Sequence, residues 1–513
     1  MWLRTAWRIR RPARFPIASD GPLREYYRVH AADAPTRKIG LDRQNWAGTA
    51  LVAALLLWPL VIFGRPAYFI DSLSYLKGGA FAVRYAATKI QPVPPRPEGR
   101  ASTAQPNPAA SAPAAAAKGA RSIPYSILSY LLAWPGRSMA ALAVAQAILT
   151  ALLLQLTARI VVRDRAAGTL AGGAVALVTP VAIFTCYAMP DIFAGVTILA
   201  TLLLMLDMGR LTRGARWLVG ILLAAAISFH ASHLPLSIGL AAIAVALRWY
   251  VQPGHGRAAM RLAGVLLCPI LLAVAVTLVA SWVGYGQASV EAKRFPLTLA
   301  RSIEDGPARW LLQQECRRPR FAVCELYGTA IPSTVADFLW GSNGIAARAT
   351  PDQLDRIRAE EHEIVILAAQ RYPREQASRV SSNFLRQLIT FSDADNRFDW
   401  VVTERGGTLD FDQRPHTGSM LLRVNWAATI LSCLGALLVL LMRFRRASRE
   451  ERATWLLVLC GLAFNAAICV IFSGVTDRYQ ARVIWTLPFV ALLFAQAGQA
   501  RSEAPSPSLT PGA

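Results

Sequence analysis

Long apolar runs separated by short arginine-bearing stretches organise this chain. Runs at about 47–64, 138–160 and 168–187, a fourth that follows almost without a loop to about 208, and others at about 215–233, 235–248, 262–283, 419–442, 453–473 and 483–497 approach the length of a span. A helix needs roughly 20 apolar residues to cross a hydrocarbon core of ~30 Å. The pattern predicts an all-α polytopic membrane protein of about ten transmembrane helices. Between 284 and 418 the pattern changes to mixed and charged, with Trp310, Tyr327, Trp340 and Tyr372 available for a small core. This stretch is expected to be a mainly helical extracytoplasmic segment between spans seven and eight. Thr350-Pro351-Asp352 opens a soluble helix over about 351–371, with proline at its first position.

Five regions follow. Residues 1–46 form a basic cytoplasmic arm, with Arg4, Arg8, Arg10, Arg11 and Arg14 but no apolar core or cleavage site of a signal peptide. Residues 47–283 form a transmembrane module of about seven spans with an outer loop at 65–137. Within that loop, 91–120 is a Pro, Ala and Ser stretch that buries too little surface to order itself and is expected to be flexible. Segment 284–418, a three-span module at 419–499 and a polar tail at 500–513 complete the chain.

Composition sharpens this picture. The chain has 513 residues, is 54% hydrophobic and carries a formal charge of +23. Its basic residues cluster between apolar runs, where orientation requires them, so the charge is topological and does not indicate nucleic acid. The expected location is the inner (plasma) membrane of a cell envelope, multi-pass, with both termini cytoplasmic. Cys186, Cys268, Cys433, Cys460 and Cys469 lie in or at apolar runs, where cysteine behaves as a small hydrophobe. Cys316 and Cys324 lie in polar sequence and can close a small disulfide loop if the segment is outside the cytoplasm; two unpaired thiols are the alternative.

With the arginine clusters on one side, few charges remain for the other. The short turns there carry Asp71, Asp191, His230, His233, Asp477, Arg478 and Arg482. If the turns converge, they suit attack by a hydroxyl on a sugar whose leaving group is a lipid phosphate. Asp71, directly after the first span, is the candidate catalytic base. Arg478 and Arg482, one helical turn apart, are candidates for the donor phosphate, which a guanidinium holds by two parallel bonds. Asp191, His230, His233, Tyr75 and Tyr479 are candidates for substrate contact. Each has a plainer reading. Asp71, Asp191 and Asp477 suit helix caps, the histidines suit bonds to nearby carbonyls, and the arginines can reach toward headgroups. Lys77, Arg84 and Lys89 suit a surface helix lying on anionic lipid.

The order of parts resembles the GT-C superfamily of integral membrane glycosyltransferases, with a layout similar to protein O-mannosyltransferases and lipid A aminoarabinose transferases. The resemblance rests on Asp71 in Asp-Ser-Leu-Ser-Tyr after the first span, the surface helices flanking 91–120, and the large segment after the seventh span. It implies an inverting glycosyltransferase that uses a polyprenyl-phosphate-linked sugar donor. The implied acceptor is a lipid, glycan or protein outside the cytoplasm. Where many members have paired acids, Asp71 is followed by Ser72, so divalent-metal use stays open and no metal ligand is assigned. The alternative function is a transporter or flippase of a lipid-linked glycan. A noncatalytic assembly protein whose 284–418 segment binds a partner is a third reading.

Overall fold

The computed structural model describes residues 38–40, 43–90, 121–133, 138–162, 164–207, 209–290, 294–318, 320–392, 396–405, 408–415 and 418–502. The flexible insert expected at 91–120, most of the basic arm and most of the polar tail lie outside these residues. The first run of helices is α1 (Arg43–Leu56), α2 (Trp58–Phe63), α3 (Ile70–Ile90), α4 (Ile123–Ala133), α5 (Ala140–Val161) and α6 (Arg165–Val178). It continues as α7 (Val181–Thr185), α8 (Ile192–Leu206), α9 (Arg213–Phe229), α10 (His233–Val251) and α11 (Gly256–Tyr285). The polar segment contributes α12 (Leu297–Asp305), α13 (Pro307–Glu315), α14 (Ala322–Tyr327), α15 (Val335–Leu339), α16 (Ile345–Arg348), α17 (Pro351–Arg371) and α18 (Pro373–Ile389). A hairpin of β1 (Trp400–Arg405) and β2 (Thr408–Gln413) precedes α19 (Ser419–Arg443), α20 (Arg449–Phe472), α21 (Asp477–Ile484) and α22 (Thr486–Ser502).

The architecture is all-α and rich in apolar helices, as befits a membrane protein. Six stretches among the described residues are long and apolar enough to cross a bilayer: α5, α10, α11, α19, α20 and the joined α21–α22. The remaining places where the sequence predicts spans carry shorter helices. Proline explains several of these breaks, because it lacks the N–H that the helix ladder requires. Pro59 stands just past the break between α1 and α2, and Pro180 separates α6 from α7. Caps set other boundaries. The Asp164 carboxylate accepts from the backbone N–H groups of Ala166 and Ala167 at the start of α6, and the Thr212 and Ser448 hydroxyls accept from Ala215 and Glu451.

One core runs through the bundle, with Trp455, Trp485, Tyr187 and Phe489 among its fully buried side chains. A second, separate core fills the polar segment around Leu299, Ile303, Phe338, Ile357 and Ile364. There Thr350 and Gln353 form a reciprocal cap at the start of α17, and Cys316 is disulfide-bonded to Cys324. Buried Glu361 on α17 accepts from the N–H groups of Thr298 and Leu299, placing a carboxylate at the positive end of α12. Outside the membrane helices, the Arg397 guanidinium beside Asp399 holds that carboxyl well below the usual range.

The two ends of the bundle are chemically unlike. At one end arginines are locked in ion pairs and carbonyl bonds: Arg210 forks onto Glu450 at 2.6 and 3.1 Å, Arg216 pairs with Asp207, and Arg443 with Glu451. At the other end the chain after α2 is pinned on both sides. Ala67 exchanges backbone bonds with Cys186 and Ala188, and Tyr68 exchanges them with Arg397. These bonds fix where α3 begins, and with it Asp71.

Candidate functional site

The site is assembled at the pinned end from the starts and ends of separate helices. Asp71, in the first turn of α3, is ion-paired through Oδ1 with Arg121, just ahead of α4. Its carboxylate is therefore committed to a partner 50 positions away. The Ser72 hydroxyl, not Asp71, accepts from the Phe69 N–H at the start of this helix. Helices α3 and α4 lie against each other, with the Tyr75 and Tyr125 rings edge to face at 4.9 Å. Tyr125 also meets Phe229, which in turn packs on Phe193, and donates to Gln146 Oε1 at 3.1 Å. Gln146 passes the connection on through bonds from its amide to the carbonyls of Thr185 and Tyr187. An aromatic layer thus lies under the charged groups, and burial pushes the Tyr75 phenol well up despite the nearby Arg121.

Asp191 occupies the cap position of α8 but makes no capping bond. Its Oδ1 accepts instead from Arg482 Nη1 on α21 at 3.2 Å, and both side chains are almost fully buried. Arg482 is further held by Asn465 Oδ1 at 3.0 Å from Nη2, and by the Cys469 sulfur. Arg478, one turn earlier, is placed differently. Its guanidinium lies over the Phe69 ring at 4.0 Å and the Tyr479 ring at 5.1 Å, while its buried Nε and Nη1 have no hydrogen-bond partner among the described residues. Stacking on an aromatic face favours a cation without neutralising it. The Tyr479 hydroxyl is 2.6 Å from the Ser473 hydroxyl.

His230 and His233 flank the turn between α9 and α10, their ring centroids 5.3 Å apart. His233 donates from Nδ1 to the Ala226 carbonyl at 2.7 Å, and His230 Nδ1 lies 2.8 Å from the Ser232 hydroxyl. The turn is tied to α4 by the Ser122 hydroxyl, which donates to the Ser228 carbonyl.

The sequence candidates come together. Tyr75 lies in the field of Asp71, Asp191, Arg121 and Arg478, and His230 in that of Arg121, Arg478, Arg482 and His233. The pairing divides them, however: Asp71 and Arg482 are already engaged by protein groups, and Arg478 forms no ion pair among the described residues. Sequence reasoning missed Arg121, Asn465 and Gln146. Arg121 follows the insert in sequence and gives no local sign of a partner at Asp71. A polar Asn or Gln inside an apolar run was the available signal for Asn465 and Gln146, since such groups seldom stay unbonded when buried. Among the described residues no group of His, Cys, Asp and Glu side chains is arranged to hold a metal ion. Comparisons with family models, with curated proteins and with solved structures find no match to this chain.

Proposed function

We propose that this protein is a membrane glycosyltransferase of GT-C-like layout, moving a sugar from a polyprenyl-phosphate-linked donor to an acceptor outside the cytoplasm. The observation that carries the reading is Arg478. Arg478 is half-buried, its Nε and Nη1 are enclosed and unpartnered and no ion pair engages it among the described residues, and its guanidinium lies over the Phe69 and Tyr479 rings, which suits an anionic headgroup brought in from the bilayer. An acceptor hydroxyl attacks the anomeric carbon as Asp71 takes its proton. The bond from that carbon to the phosphate oxygen breaks, its electron pair leaves with the lipid phosphate, and Arg478 offsets the developing charge. Arg121 orients the Asp71 carboxylate through Oδ1, leaving Oδ2 for the proton. Arg482 acts one step back, holding Asp191 and the α21 turn that presents Arg478.

The test is transfer from a polyprenyl-phosphate sugar by purified protein in lipid vesicles. Asp71→Asn should lower the rate at least about 100-fold, the lower range for a general base, with an unchanged unfolding profile. Full activity in that variant removes Asp71 from the reaction. The fully buried Asp191–Arg482 pair favours a second reading, a transporter of a lipid-linked glycan, because ionisable pairs inside helical bundles often mark transport paths. Labelled lipid crossing the same vesicles without formation of a glycosidic bond would select it.

A further inference from the structure

His230 and His233 sit three positions apart, yet their hydrogen bonds are best satisfied by opposite proton placements. The backbone N–H of Ser232, which can only donate, lies 3.2 Å from His230 Nδ1, and the Ser232 hydroxyl, which can donate or accept, lies 2.8 Å from it; both contacts are satisfied together when Nδ1 accepts and carries no proton. A ring with a bare Nδ1 is neutral and holds its proton on Nε2. In His233 the Nδ1 faces the Ala226 carbonyl, which can only accept, so Nδ1 carries the proton. His233 is wholly buried. A second proton on its ring would place a charged N–H donor in the interior with no acceptor to receive it, which is costly. Its Nε2 is therefore a lone pair, and that buried nitrogen has no hydrogen-bond partner among the described residues.

Each ring thus spends Nδ1 on the chain and keeps Nε2, one as a donor and the other as an acceptor. Leaving a buried acceptor unsatisfied is costly, so such a group calls for a partner from outside the chain or another explanation. A hydroxyl is both donor and acceptor, so one hydroxyl or a vicinal pair can serve both rings, whose centroids are 5.3 Å apart. A phosphate, which only accepts when ionised, satisfies His230 but not His233. We infer that His230 and His233 form a hydroxyl-reading pair that binds the sugar part of the donor, His230 giving a hydrogen bond from Nε2 and His233 receiving one at Nε2. The ligand half of this inference rests on the proposed function; the proton placements do not.

Two measurements separate them. In protein labelled with ¹⁵N-histidine and held in lipid nanodiscs, one imidazole should show a protonated Nε2 with bare Nδ1 and lose its signals in His230→Gln. Another should show the reverse and lose its signals in His233→Asn. The same tautomer in both rings, or a doubly protonated ring at neutral pH, overturns the inference outright. Binding is then measured for polyprenyl phosphate and for the same lipid carrying a hexose or a pentose. The amide nitrogen of Asn can keep the bond to Ala226 while removing the Nε2 lone pair, so His233→Asn should weaken the sugar-bearing lipid about tenfold and leave the bare lipid phosphate unchanged. His230→Leu should do the same, and His230→Gln, which restores a donor near the Nε2 position, should recover most of the loss. Equal losses for bare and sugar-bearing lipid, or none for either, overturn the sugar assignment. Binding of none of these lipids by the unaltered protein sinks the functional reading and the sugar assignment together, while the tautomers remain decided by the spectra.

Discussion

Asp191 and Arg482 are 291 positions apart in the chain and bonded in the fold, with side-chain exposures of 4% and 2%. Desolvating two charges is offset only if both stay paired and their remaining bonds are filled, as Asn465 does for Arg482. Asp191→Asn should therefore destabilise the protein by about 3–5 kcal/mol, measured as a lower unfolding midpoint in detergent. Pairing it with Arg482→Met should recover much of the loss, because no lone charge is then buried; a double variant no more stable than the single would show that the pair is not the source. Residue types and spacing disclosed Asp191, Arg478 and Arg482 as candidates. They did not disclose that Arg482 is enclosed by protein partners while Arg478 keeps two donors unfilled, because that difference depends on Asn465, Phe69 and Tyr479 arriving from other elements.

At the scale of elements, the closeness of α3 and α4 depends on a glycine. A Cβ at Gly79 would lie 2.0 Å from the Ser126 carbonyl oxygen and 2.6 Å from the Tyr130 Cβ, so neither a backbone nor a near-backbone atom can yield. In an isolated helix, Gly→Ala is stabilising by about 1 kcal/mol. Here the sign should reverse, with Gly79→Ala destabilising by about 1–3 kcal/mol as α4 is pushed outward. The same displacement should loosen the Asp71–Arg121 pair and lower the sugar transfer proposed above, whereas a stabilised variant with an intact Asp71–Arg121 pair would contradict this packing. The helical character of 70–90 and of 123–133 was legible in the sequence. Their mutual contact was not, since it is made across the insert between them and turns on one missing methyl group.

For the whole molecule, the polar segment has its own core, and its attachment to the site end is specific. The Gln387 side chain, buried near the end of α18, both donates to the Thr476 carbonyl and accepts the Thr476 N–H, just ahead of Arg478. Removing the Cys316–Cys324 cross-link by Cys316→Ser with Cys324→Ser releases a loop with a sequence separation of 8 and should weaken the segment by roughly 2–3 kcal/mol. Limited proteolysis should then cut within 294–392 faster while the bundle keeps its unfolding midpoint. Equal weakening of both would mean that the two cores unfold as one.

Apolar run length, arginine placement and local capping patterns sufficed to determine helices, an all-α membrane class, the start of α17 at Thr350 and the small set of ionisable residues beyond the arginine clusters. These are properties of neighbours in sequence, and solvent polarity acts on them locally. Only the tertiary structure decided how closely α3 and α4 pack, which carboxylate meets which guanidinium, and which buried nitrogens keep an unused donor or lone pair. Those outcomes depend on packing between residues tens to hundreds of positions apart, where burial magnifies each pairing and no local periodicity records it.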